Sequence, residues 1–128
     1  MKRLLFVLAM LFTQNALGAT LDAVRERGVL RCGVNTGLPG FSEQQMDGAW
    51  RGFDVDFCRA VSAAVLKDPH KVEFVPLTGE ARFSALAEGK IDLLTRNTTW
   101  TFSRDTTTGA RFAGISYHDG QGFMVPRR

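Results

Sequence analysis

Three apolar runs alternate with two amphipathic ones, and this alternation restricts the fold more than any other feature of the sequence. Val29 to Val34 reads as a first strand, Val72 to Val75 alternates as a second, and the short apolar run Ile91 to Leu94 reads as a buried third. Between the first two lies a longer segment in which Phe53, Phe57, Val61 and Val65 recur every four residues, with Ala60 and Ala64 beside them. That spacing predicts one apolar helix face over Phe53 to Val65. Between the last two, Phe83, Leu86 and Ala87 are expected to face inward from a second helix, which starts at Thr78-Gly79 and stops at Gly89. The order strand, helix, strand, helix, strand predicts an α/β fold with a mostly parallel βαβαβ sheet.

The flanking segments are read in the same way. Thr20 to Gly28 is expected to form a short helix with Leu21 and Val24 on one face. Asn35 to Phe41 is a Gly/Pro loop, and Asp47-Gly48 is a turn. Asp54 and Asp56 fall in the first turn of the long helix, where negative charge complements the dipole. Thr101 caps a helical turn over Phe102 to Asp105. Phe112 to Tyr117 reads as irregular or extended, and Gln121 to Val125 as a last strand.

The first residues are read as an export signal. Lys2 and Arg3 form a basic start, Leu4 to Phe12 is apolar, and Ala16-Leu17-Gly18 ends in small residues. This pattern predicts a signal peptide over residues 1–18, with cleavage after Gly18 or after Ala19. The apolar run is shorter than the roughly 20 residues of a membrane-spanning helix. Without Lys2 and Arg3, fourteen basic residues face thirteen acidic ones, so the formal charge drops from +3 to about +1. No Lys/Arg-rich run remains, and no nucleic-acid partner is expected.

Cys32 and Cys58 are the two cysteines. In an exported chain an even count suggests one disulfide; two separately buried thiols are the alternative. His70 and His118 are far apart in sequence and stand beside turn residues, so no metal site is expected. No cofactor is expected either. The chain carries no evident pairing of nucleophile and base, and it is not read as an enzyme.

The run from Asn97 to Asp105 holds the chemistry. A buried strand ends and gives way to Asn, Thr and Ser residues that lead to Arg104 and Asp105. Hydroxyls, backbone N–H groups and one guanidinium suit a carboxylate ligand at the carboxyl end of a sheet. A capped loop with a surface Arg fits the same residues.

Three segments, with a fourth near the end, carry a resemblance to a known family. They are Cys32-Gly33-Val34-Asn35-Thr36-Gly37-Leu38-Pro39-Gly40-Phe41, Gly52-Phe53-Asp54-Val55-Asp56-Phe57-Cys58, Arg96-Asn97-Thr98-Thr99-Trp100-Thr101 with Arg104-Asp105, and Asp119 to Val125. Together they resemble the family 3 solute-binding proteins of polar amino-acid ABC transporters, and among these the general L-amino-acid-binding proteins of Gram-negative bacteria. The resemblance implies an incomplete first lobe of a type II periplasmic-binding-protein fold over residues 19–128, ending at the first hinge crossing. It also implies a monomer in the periplasm that takes an L-amino acid and serves an inner-membrane ABC permease.

Site residues follow from the resemblance. Arg104 is the expected bidentate partner of the ligand's α-carboxylate, and Thr99 adds its hydroxyl and backbone N–H. The Asn97 carbonyl is the expected acceptor for the α-ammonium. Leu38 and Phe41 would wall the side-chain pocket, although apolar loop residues also commonly pack into a core. Arg82 and Thr78 are candidate contacts to the ligand's side chain; a solvated helix Arg is the plainer reading. Family members are two to three times longer, so the chain is expected to be an N-terminal fragment from a truncated or interrupted reading frame. Its expected amino-acid affinity is on the order of millimolar or weaker, because clamp closure needs two lobes. A periplasmic enzyme or a sensor domain on the same fold is the competing reading.

Overall fold

The structure is a computed structural model that describes residues Ala19 to Arg127. The expected signal peptide, residues 1–18, lies outside the described residues. The described residues divide into two compact units, one up to Thr98 and one from Thr99 onward.

The first unit is built on a three-stranded parallel sheet. Its strands are β1 (Leu30–Asn35), β4 (Val72–Leu77) and β5 (Leu93–Leu94), with β1 in the centre. Leu30 to Asn35 pair in register with Val72 to Leu77 on one side. On the other side Cys32 and Gly33 pair with Leu93 and Leu94. The expected parallel βαβαβ order is therefore observed. The third strand is shorter than Ile91 to Leu94, but Asp92 N–H still donates to Arg31 O and Thr95 N–H to Gly33 O, extending the attachment. The second strand runs two residues further than expected, through Pro76. It tolerates proline because β4 is an edge strand.

A small antiparallel pair, β2 (Glu43–Gln44) and β3 (Trp50–Arg51), closes around the expected Asp47-Gly48 turn. Gly48 takes a positive φ of 81°, and Ala49 N–H donates to the Asp47 carboxylate at 2.9 Å. Strands of two residues are too short to show a period in sequence.

The helices of this unit are α1 (Ala19–Arg27), α2 (Phe53–Leu66) and α3 (Ala81–Ala87). Gly28 ends α1 with a positive φ, and its N–H donates to Val24 O at 2.9 Å. Val24 is buried as expected, whereas Leu21 is exposed. Gly89 ends α3 in a six-to-one and five-to-two hydrogen-bond pattern, Lys90 N–H to Ala85 O and Gly89 N–H to Leu86 O. On α3, Ala85 is buried and Phe83 and Leu86 are partly buried; Ala87, expected inward, is exposed.

The long helix corrects the sequence reading. Its buried positions are Asp54, Val55, Cys58 and Ser62, while Phe53 and Phe57 are each 42% exposed and Ala60 and Ala64 are exposed. The helix is thus turned by about one position from the face that apolar periodicity selects. Two local constraints account for the rotation. Cys58 is bonded to Cys32 on β1, with Cα atoms 6.2 Å apart. Ser62 Oγ is shared between Asp68 O at 2.8 Å and Lys71 O at 3.0 Å, where the chain leaves the helix for β4. Cys32, Val34 and Cys58 are fully buried, and Trp50, Val72, Phe74 and Leu93 pack against them.

The strand start carries a charge cluster of its own. Asp92 accepts from Arg31 N–H at 2.8 Å, pairs with the Arg31 guanidinium at 3.0 Å, and also pairs with Arg27. These pairs hold the amino ends of β1 and β5 together.

The second unit contains α4 (Phe102–Thr107). Thr101 caps it as expected, accepting from Arg104 N–H at 3.3 Å. Trp100 stacks on Phe112 with centroids 5.2 Å apart and planes 8° from parallel. The expected last strand, Gln121 to Val125, does not form, and Phe123 is 95% exposed. A strand needs a ladder partner for its backbone groups, and no strand among the described residues pairs with this segment.

Candidate functional site at the carboxyl ends of the strands

The carboxyl ends of the three parallel strands converge on one polar cluster. Asn35 closes β1, Leu77 closes β4, and Thr95-Arg96-Asn97 follows β5. The Asn35 amide N–H donates to Asn97 Oδ1 at 3.0 Å. The Asn35 Oδ1 accepts from Gly37 N–H at 3.2 Å, so the side chain also shapes its own loop. Behind it, Ser42 is fully buried and its Oγ accepts from Asn35 N–H at 3.1 Å.

That loop holds Leu38 and Phe41. Leu38 N–H donates to Ser42 O, and Phe41 and Ser42 N–H both donate to Leu38 O, which folds 38–42 into a tight turn. Both side chains are half-buried. Phe41 meets Phe53 edge to face, centroids 6.2 Å apart, so part of its surface is packed on α2. Gly52 makes this junction feasible. Its φ is +123°, and a Cβ there would lie 2.3 Å from Phe41 O. Phe53 and Asp54 N–H, at the start of α2, donate back to Gly40 O and Phe41 O.

Arg96 joins the strand ends, and sequence reasoning missed it. Its Nη1 donates to Leu77 O at 2.6 Å, while Nε and Nη2 donate to Asn97 Oδ1 at 3.2 and 3.1 Å. In sequence Arg96 stands two residues past the end of β5, and no local pattern marks its reach to Leu77. Arg82, on α3, donates from Nη1 to Asn97 O at 3.3 Å and to Thr98 Oγ1 at 3.4 Å. It also lies over the Phe83 ring at 5.2 Å. Thr78 is not part of this cluster. It is exposed, and its Oγ1 accepts from Ala81 N–H at 3.2 Å at the start of α3.

Asp54 is the carboxylate whose charge reaches Arg96. It is only 3% exposed, and its Oδ2 has no hydrogen-bond partner among the described residues. Burial pushes its carboxyl above the usual carboxylate range, and the positive charge of Arg96 opposes that shift. Burial likewise pulls Arg96 below its ordinary value, opposed by Asp54. Asp54 is thus more than the helix N-terminal charge that its position suggests.

Thr99 and Arg104 both lie in the second unit. Arg104 Nη1 donates to Thr99 O at 2.8 Å, a tether across one turn that orients the guanidinium. A shallow open depression nearby is lined by Trp100, Asp105, Gly109, Ala110, Arg111 and Phe112, and contains neither Thr99 nor Arg104. Cys32 and Cys58 form the disulfide, the first of the two sequence readings. Chemically, the strand-end cluster offers guanidinium donors for an anion beside a carbonyl acceptor for a cation.

Comparison with known proteins identifies relatives of the chain by sequence and by fold. The family model described as bacterial extracellular solute-binding proteins, family 3, matches residues 30–128. The chain is 57% identical over 118 residues to the glutamate/glutamine/aspartate/asparagine-binding protein BztA of Rhodobacter capsulatus, covering 92% of this chain and 35% of that protein. It is 54% identical over 110 residues to the general L-amino acid-binding periplasmic protein AapJ of Rhizobium johnstonii, covering 86% and 32%. Among solved structures, an ABC transporter periplasmic binding protein from Brucella ovis with glutathione bound superposes with a TM-score of 0.75 at 57% identity. That match covers 77% of this chain and 30% of the other. The chain spans about a third of the length of these relatives. Its parallel α/β arrangement is part of the type II periplasmic-binding-protein fold. By sequence and by fold, the chain belongs to the family 3 bacterial extracellular solute-binding proteins.

Proposed function

We propose that this chain captures L-amino acids in the periplasm for an inner-membrane ABC permease, as part of the substrate-binding component of the transporter. The observation that carries the reading is the convergence of Asn35, Arg82, Arg96 and Asn97 at the carboxyl ends of the sheet. An amino-acid zwitterion leaving water needs donors at one end and acceptors at the other. The Asn97 carbonyl already accepts from one cationic donor, Arg82, and its second lone pair suits an α-ammonium. Arg104 is the fork for the α-carboxylate, with the Thr99 hydroxyl and N–H beside it. Leu38 and Phe41 give the ligand's side chain an apolar wall. Thr78 and Arg82 are the polar contacts proposed for that side chain. The names of BztA and AapJ support amino acids as the ligand class. The role is binding, and no chemical step is assigned to the cluster.

The test is a two-dimensional NMR titration of the ¹⁵N-labelled chain with L-glutamate, L-glutamine and glycine. The expected result is saturable movement of the Asn97, Thr99 and Arg104 amides with dissociation constants on the order of millimolar, since residues 19–127 would hold the ligand from one side only. The reading is overturned if none of these amides moves with any of the three amino acids at tens of millimolar.

A further inference from the structure

Arg96 has two bonding directions left over. A guanidinium carries five N–H donors. Among the described residues, three of those on Arg96 are engaged, one by Leu77 O and two by Asn97 Oδ1. The three bonds hold its plane against the ends of β4 and β5, so the remaining donors are presented in a set direction at little further entropic cost. Arg82 sits in the same cluster, on the main-chain carbonyl of Asn97. Two guanidiniums therefore both donate to Asn97, one to its main chain and one to its side chain. The carboxylate that Arg96 meets, Asp54, is buried beneath the start of α2 and makes no ion pair within 4 Å among the described residues. The three named groups, two guanidiniums and one carboxylate, sum to a positive charge in partly buried surroundings, where charge is screened less than at an open surface.

We infer that Arg96 is a specificity-determining residue: with Arg82 it biases the site toward amino acids whose side chain carries an anionic group, over neutral side chains of the same shape. The inference rests on the amino-acid-binding reading above and adds a ligand preference and the residue that sets it. The alternative role for Arg96 is a purely structural lock between the ends of β4 and β5. The two roles differ in one observable. Loss of a lock weakens every ligand alike, whereas loss of a selecting charge changes the ratio between ligands.

L-glutamate and L-glutamine supply that ratio, since they match in shape and differ in charge. Affinities are read by the same NMR titration, which also reports whether each variant is folded. The unaltered chain is expected to favour glutamate about tenfold, with a ratio that shrinks as sodium chloride is raised. Arg96→Gln is expected to reduce the ratio to about threefold or less, and Arg96→Lys, which keeps the charge without the planar fork, to give an intermediate value. Equal affinities in the unaltered chain overturn the inference and leave the amino-acid-binding reading standing. So does an undiminished glutamate preference in folded Arg96→Gln. Should that variant not fold, the salt series and Arg96→Lys still decide. A ratio insensitive to both counts against the inference. Failure of both amino acids to bind overturns the binding reading and the inference together.

Discussion

Asp54 shows how one side chain can serve a local rule and violate a general one. Acidic residues belong at helix N-termini, but a carboxylate 97% withdrawn from water with one oxygen unbonded is costly. Burial raises its carboxyl above the ordinary value, and Arg96 offsets part of the shift. A carboxyl whose folded value lies above its unfolded one holds its proton more tightly in the folded state. Its stabilising contribution is therefore complete below the unfolded value, about pH 3.9, and is lost as pH rises through the higher folded value. Asp54→Asn removes this titration. Urea unfolding from pH 4 to pH 7 is expected to show the stability of the unaltered chain declining relative to Asp54→Asn as pH rises. A constant difference across that range would contradict the assignment. Arg96 is the complementary case at this scale. Nothing in the order Leu94-Thr95-Arg96-Asn97 reveals that its guanidinium turns back to Leu77, a residue nineteen positions earlier.

At the scale of elements, the helix Phe53–Leu66 and the strand Leu30–Asn35 depend on one covalent link. The disulfide between Cys32 and Cys58 spans 26 residues and lies in the fully buried centre of the first unit. Chain-entropy arguments assign such a crosslink about 3 kcal/mol. Reduction, or the double substitution Cys32→Ala with Cys58→Ala, is expected to lower unfolding free energy by about that amount in a urea titration. A loss well under about 1 kcal/mol would show that packing alone holds the helix on the sheet. The same link explains why apolar periodicity chose the wrong face of this helix. Phe53, Phe57, Ala60 and Ala64 satisfy the period, but Cys58 and Ser62 are the residues that the sheet and the following turn hold. Helix ends were more legible, because Gly28, Gly89 and Thr101 act through backbone geometry and neighbouring atoms only.

The whole molecule divides its order unevenly. Residues 19–98 carry the sheet and three helices, whereas the stretch from Ala110 to Arg127 carries no helix or strand. Arg111 lies exposed at the start of that stretch. Limited trypsin digestion is expected to cut there first, because cleavage needs an extended, accessible backbone. Mass spectrometry showing first cuts among Arg31, Arg59 and Arg82 would contradict this ordering. The sequence by itself determined the α/β alternation, the parallel order of the strands and the helix stops. These depend on neighbours within a few residues, or on the spacing of apolar runs, and both are written along the chain. The tertiary structure alone decided which face of the long helix is buried, that Gln121 to Val125 finds no ladder partner, and that Arg96 binds the strand ends together. Each of these is settled by a contact between segments distant in sequence, where partner geometry outweighs local pattern.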